Sequence, residues 1–249
     1  MKYAKILLAL LLALALVAAL AVPAFADEAE DGCNPTFWQQ LWANIQFYWS
    51  YIKWILGFGP NPIDIILYKP VIYLYPEQPT EIGVTLQTRD AHLIESIPDY
   101  GNGWRVLAQP DGTLTNPADG AQYPYLFWEA VLEKPWARVK EGFIVARDDL
   151  AGFLNEKLLY LGLNDAEAGE FIAFWLPRLA ANEYTLVHFS GAYYDERIPL
   201  EITPAPDSLL RVFMVARAAK ANERVAPQSL VPFARSGFAA IEWGGMILG

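Results

Sequence analysis

Two glutamates stand where charge is costly. Glu129 lies in Tyr125-Leu126-Phe127-Trp128-Glu129-Ala130 and Glu242 in Ala240-Ile241-Glu242-Trp243-Gly244, each in an apolar, strand-like run beside a tryptophan. Burial raises a carboxyl pKa toward the range in which a general acid works near neutral pH. Two carboxylates flanking a sugar, with tryptophans as its platform, are the apparatus of glycoside hydrolysis. A secreted glycoside hydrolase-like enzyme using Glu129 and Glu242 is therefore one reading. The plainer one buries each glutamate against an arginine, Arg211 or Arg217 for example, or leaves it on an exposed strand face.

Aromatic side chains suggest a second chemistry. Tyr100, Trp104, Tyr123, Tyr125, Trp128, Trp136 and Trp243 offer flat faces that suit stacking on sugar rings or hydrophobic peptides, although core packing claims many such residues. Tyr100, Trp104 and Tyr123 stand beside Gly, Asp, Asn and Pro turn residues, which favours their exposure. With Trp128 they form the expected ligand-binding set. Other constellations are weaker. His92 and His188 lack metal-ligand spacing, so no metal site and no cofactor is expected. A Ser190 or Ser236 nucleophile served by His188 would lack the Gly-x-Ser-x-Gly elbow. Cys33 has no partner cysteine, and no phosphate-cradling glycine loop follows a strand.

Short strands must carry most of these residues. Val71 to Tyr75, Val84 to Gln87, Trp104 to Ala108, Tyr123 to Leu132 and Phe143 to Val145 fit, with Pro110-Asp111-Gly112 turning a hairpin. Two helices follow. The first runs from a cap at Asp148 to Tyr160 and is stopped by Gly162; the second opens with a capping box, Asn164 and Glu167, and is kinked or ended by Pro177. Strands return at Tyr184 to Phe189, Ile198 to Ile202, Leu210 to Val215 and Phe238 to Trp243. This order predicts an α+β fold over residues 63–249, a mostly antiparallel sheet with a central helix pair.

The preceding residues have other characters. Lys2 and Lys5, an apolar run from Ile6 to Val22 and the exit Ala24-Phe25-Ala26 predict a secretory signal peptide over 1–26, cleaved near Ala26. An acidic linker and a Trp-rich amphipathic helix are expected over 27–62. Thr36 to Leu56 gathers Trp38, Trp42 and Trp49 on an apolar face, which docks on the domain or lies on a membrane surface as a peripheral anchor. The formal charge of −10 becomes two units more negative without the leader lysines. Nucleic acid and other polyanions are thereby disfavoured as partners.

Several strings resemble one family. Lys69-Pro70-Val71-Ile72-Tyr73-Leu74-Tyr75-Pro76, Gly103-Trp104, Phe174-Trp175-Leu176-Pro177 and Glu242-Trp243-Gly244-Gly245 look like bacterial secreted or envelope proteins that open with KPVIYLYP and close with EWGG. The resemblance implies one exported domain and assigns no catalytic residue. Many of those proteins resemble lipoproteins, whereas Cys33 here follows Glu30-Asp31-Gly32 and lacks a lipobox. The sequence thus points to an exported, envelope-associated binding or interaction module. Its expected partner is cell-envelope polysaccharide, protein or peptide.

Overall fold

A computed structural model describes residues 66–248 apart from 89, 90 and 138. The described residues belong to one unit, Ile65–Gly249. The expected signal peptide and the helix bearing Trp38, Trp42 and Trp49 lie outside the described residues.

Among the described residues, thirteen strands form two sheets. With β5 at Leu114–Thr115, β6 at Gln122–Tyr123, β9 at Tyr184–Phe189 and β10 at Leu200–Thr203, the larger has the order β12-β8-β9-β11-β13-β1-β7-β3 and the smaller β10-β2-β4-β5-β6. Their centres are β1 (Ile66–Tyr75), β7 (Leu126–Leu132), β11 (Ser208–Ala219) and β13 (Ala239–Ile247) in the large sheet, and β2 (Thr80–Leu86) and β4 (Trp104–Ala108) in the small one. Pairing is antiparallel except that β11 runs parallel to β13 and the two-residue β12 (Ala226–Pro227) runs parallel to β8 (Glu141–Ala146).

Burial on one or two faces explains the sequence of each strand. In β4, Trp104, Val106 and Ala108 are buried while Arg105 and Leu107 are exposed, the alternation of a sheet wet on one side. β13 is buried from Ala239 to Met246, so it reads as an apolar run broken only by Glu242 and two glycines. One of its faces joins Ala240 and Met246 to Phe213, Val215, Ile82 and Val106, a core between the two sheets. The other joins Ile241 and Trp243 to Val212 and Met214 under two helices, α1 (Leu150–Leu161) and α2 (Asp165–Leu179).

The α+β expectation with a central helix pair is corrected by this layout. Strands hold 44% of the described residues and helices 20%, and α1 and α2 lie as a layer on one face of the large sheet. β1, β11 and β13 extend well beyond the segments read from sequence. β3 (Ala91–Ile97) was not among them, because its burial follows no clean alternation.

The helix ends obey local chemistry. Gly162 closes α1 in a left-handed conformation, φ 106°. Asn164 and Glu167 form a reciprocal capping box at the start of α2. Pro177 neither ends nor precedes the end of a turn by itself; it sits inside α2, near its C-terminus. Glu167 does more than cap. Fully buried, it also accepts a bond from the Tyr75 hydroxyl at 2.9 Å and pairs with Arg235, pinning α2 to β1.

Candidate functional site

The chemistry concentrates where β1 breaks its own regularity. On β7, Leu67 opposes Ala130 and Val71 opposes Phe127; on β13, Tyr68 opposes Gly245 and Val71 opposes Trp243. One extra β1 residue is accommodated against each neighbour, a bulge that reverses which face every later side chain occupies. Leu67 accordingly packs between the sheets, as does Ile72, while Val71 and Tyr73 face the helices. Pro70 has no N–H to give the ladder, and Lys69 takes φ 45°, a left-handed backbone that costs a non-glycine residue about 1 kcal/mol or more. Gly244 makes room for the bulge, because a Cβ there would lie 2.9 Å from Pro70 Cα. The opening and closing strings of the family resemblance therefore meet side by side.

Lys69 turns its amine toward the helix side. Nζ lies 5.1 Å from the Trp243 ring centre, 5.2 Å from Phe174 and 5.8 Å from Tyr125. Burial pushes its pKa down; Glu170 pulls the other way and Arg178 adds to the fall. The Lys69 backbone N–H donates to Glu129 Oε1 at 3.1 Å. Tyr73 donates its hydroxyl to Glu170 at 3.2 Å, and burial raises the phenols of Tyr68, Tyr73 and Tyr125.

The two candidate carboxylates do not meet. Glu242 accepts from Arg211 Nε at 2.6 Å and from Trp128 Nε1 at 3.1 Å, between the sheets. Glu129 follows Trp128 on the same strand and so faces the opposite side, among the residues near α2. The whole thickness of the large sheet separates them, which corrects their expected pairing. For Glu242 the plainer reading holds: its partner is Arg211, which also donates to Asp195 at 3.0 Å and to the Ile198 carbonyl at 2.8 Å. Glu129 instead stands directly across from Glu95 on β3. Burial pushes the Glu129 carboxyl up; the Lys69 N–H opposes this and Glu95 reinforces it.

Two clefts open around Tyr123. The smaller, about 360 Å³, is lined by Lys69, Glu95, Ile97, Tyr125 and Phe127 as well as Tyr123. The larger, about 620 Å³, lies between the loops 98–103 and 116–119, with Tyr100, Trp104 and Tyr123 in its wall. Tyr123 belongs to both clefts, and the consecutive residues Ile97 and Pro98 line one each.

Three of the four expected ligand-binding aromatics thus surround one cleft, with different exposures. Tyr123 is half-buried and available. Tyr100 is half-buried and spends its hydroxyl on the Leu86 N–H, at 2.8 Å, and carbonyl. Trp104 is 4% exposed and donates Nε1 to the Pro98 carbonyl at 2.8 Å. Its place as the first inward residue of β4 outweighs its neighbouring turn glycines. Trp128 is completely buried and cannot stack on a ligand, a second correction to that set.

A further cleft, of about 390 Å³, is lined by His188, Ser190, Glu141 and Tyr193, and burial pushes the His188 pKa down. Ser236 is engaged elsewhere, with Ser208 at 3.2 Å between hydroxyls. Among the described residues, no three His, Cys, Asp or Glu side chains gather in a way that could hold a metal ion.

Lys69 and Glu95 escaped the reading from residue types. A proline inside the run Ile66–Tyr75 was the available signal for Lys69, since proline within a central strand marks a bulge. Glu95 gave no signal, because only the pairing of β3 with β7 brings it to Glu129.

Comparison with known proteins adds one partial likeness. A protein of Butyrivibrio fibrisolvens described as "Uncharacterized protein in bglA 3'region" is 45% identical over 64 residues, 24% of this chain and 64% of that protein. The match thus spans less than two thirds of the relative's length. No family profile matches the chain, and no solved structure matches it significantly.

Proposed function

We propose that this is an exported, envelope-associated protein that binds a neutral polysaccharide along the two adjoining clefts. The single observation carrying this reading is Tyr123, an aromatic side chain shared by the walls of two clefts of about 620 and 360 Å³. Such a pair of clefts suits a chain-like ligand. Asp99, Asn102, Asn116 and Asp119 border the larger cleft and supply the donors and acceptors that sugar hydroxyls require, while aromatic faces supply the stacking surface. The net charge of −10 turns away polyanions and leaves neutral glycans favoured.

Titration calorimetry of the purified chain against neutral envelope oligosaccharides tests the proposal. Tyr123→Ala should weaken binding by about tenfold, the loss of roughly 1.4 kcal/mol of stacking. Unchanged affinity in the variant, or no binding by the parent, refutes it. Shortened oligosaccharide in the same mixtures would instead support hydrolysis by Glu129 with Glu95. Directly opposed strand residues hold their Cβ atoms about 5 Å apart, a base from which two carboxyls can reach a single sugar.

A further inference from the structure

We propose that Lys69 is a nucleophilic amine that forms a Schiff base with an aldehyde or ketone carbonyl entering the smaller cleft. This inference does not depend on which polymer, if any, occupies the neighbouring groove.

Geometry carries it. The bulge places a residue with a left-handed backbone in the lining of an open cleft beside Tyr123, Tyr125 and Phe127, a strained conformation of the kind held at working sites. Aromatic rings stand on three sides of Nζ, at 5.1, 5.2 and 5.8 Å. These distances are near the outer limit of cation–π attraction, so the rings desolvate the ammonium more than they stabilise it. The carboxylates around it are engaged elsewhere: Glu129 accepts the Lys69 backbone N–H, and Glu170 accepts from Tyr73. Burial is the largest influence on the amine and favours its neutral form; Glu170 still favours the ammonium, and Arg178, also on α2, disfavours it by less. Glu95 lines the cleft. A desolvated lysine beside another cation is the arrangement that frees an amine near neutral pH.

The step balances without any redox partner. The amine lone pair attacks the carbonyl carbon, and the C=O π pair moves to oxygen. A proton passes from nitrogen to that oxygen, giving a carbinolamine. Protonation of its hydroxyl, for which Glu95 and Glu129 are the nearby carboxyl groups, expels water as the C=N bond forms. One water is released for each adduct.

Lys157 is an internal control. Its Nζ also lies 5.7 Å from two aromatic rings but is paired with Glu156 at 2.8 Å. The full-length protein is incubated with D-glyceraldehyde and sodium cyanoborohydride, which reduces the imine to a stable secondary amine, and the labelled lysines are mapped by mass spectrometry. At pH 7 Lys69 should be modified at least tenfold faster than Lys157 and Lys220, with the excess falling below threefold at pH 10 as ordinary amines lose their protons. Modification of Lys69 no faster than the other two, or an excess that does not shrink at pH 10, overturns the proposal. The measurement uses the native chain and needs no variant to fold. Oligosaccharide binding is read separately, so either idea fails without the other.

Discussion

Replacing Glu242 by alanine should be among the most damaging changes to this protein. The carboxylate is 1% exposed and the Arg211 side chain 5%. Removing Glu242 takes away the bond at 2.6 Å and leaves Trp128 Nε1 without its acceptor. It also strands a guanidinium between two sheets, stacked 4.3 Å above the Tyr194 ring. Breaking one side of a buried pair costs about 3–5 kcal/mol. Arg211 keeps Asp195 and the Ile198 carbonyl, which places the expected loss near the lower end, about 3 kcal/mol. For a domain of this size that lowers Tm by roughly 6–12 °C. Circular dichroism during thermal and urea unfolding reads the change. The double replacement Arg211→Met with Glu242→Leu should be milder than Glu242→Ala alone, because no unpaired charge stays behind. A single variant within about 1 kcal/mol of the parent, a small fraction of that cost, or a double variant worse than the single, would refute the claim that the pair is buried and mutually dependent.

Three further changes probe the helix side of the sheet. Burial holds the folded-state pKa of Glu129 above its ordinary value, so its contribution to stability is complete below the ordinary carboxylate pKa and is lost as pH rises through the raised one. Glu129→Gln should therefore raise the urea midpoint at pH 7 and leave it nearly unchanged near pH 4; an equal gap at both pH values contradicts the cause given. Two glycines should respond with opposite signs to alanine. At Gly245 the added methyl meets the Met214 carbonyl oxygen and lies 2.7 Å from Trp175 Cζ2, a clash worth about 1–3 kcal/mol, whereas nothing lies within 4 Å of a methyl at Gly169 in α2 and helix propensity gains up to about 1 kcal/mol. Thermal unfolding of both variants decides, and a stable Gly245→Ala would show that β13 is not packed as described.

What was legible in the sequence was local. Asn164 and Glu167 cap α2 because three residues suffice to close a capping box, and Tyr184–Phe189 is a strand with the limits its residues suggested. The layer arrangement was not legible. Largely apolar segments such as Ser208–Ala219, interrupted by Arg211 and Arg217, and Ala239–Ile247, interrupted by Glu242, say that both faces are covered, without saying by what. Burial of Trp104 followed from alternation along β4, and nearby turn residues pointed the other way. The site depended on register above all. The register of β7 against β3 sets Glu129 across from Glu95, and alternation along β7 puts it on the face away from Trp128 and Glu242. No spacing within the sequence encodes that outcome, because it arises between residues of separate strands far apart along the chain.

β13 is the last strand of the domain along the chain, yet it is the keystone of the large sheet. Without it, β12, β8, β9 and β11 form one fragment and β1, β7 and β3 another, with no ladder joining them. A polypeptide emerging from the ribosome must therefore carry two unfinished half-sheets, each with a naked edge, until residues 239–247 arrive to lock them together. Such an assembly is slow and vulnerable to aggregation in the interval, and it makes loss of those nine residues a loss of the fold itself.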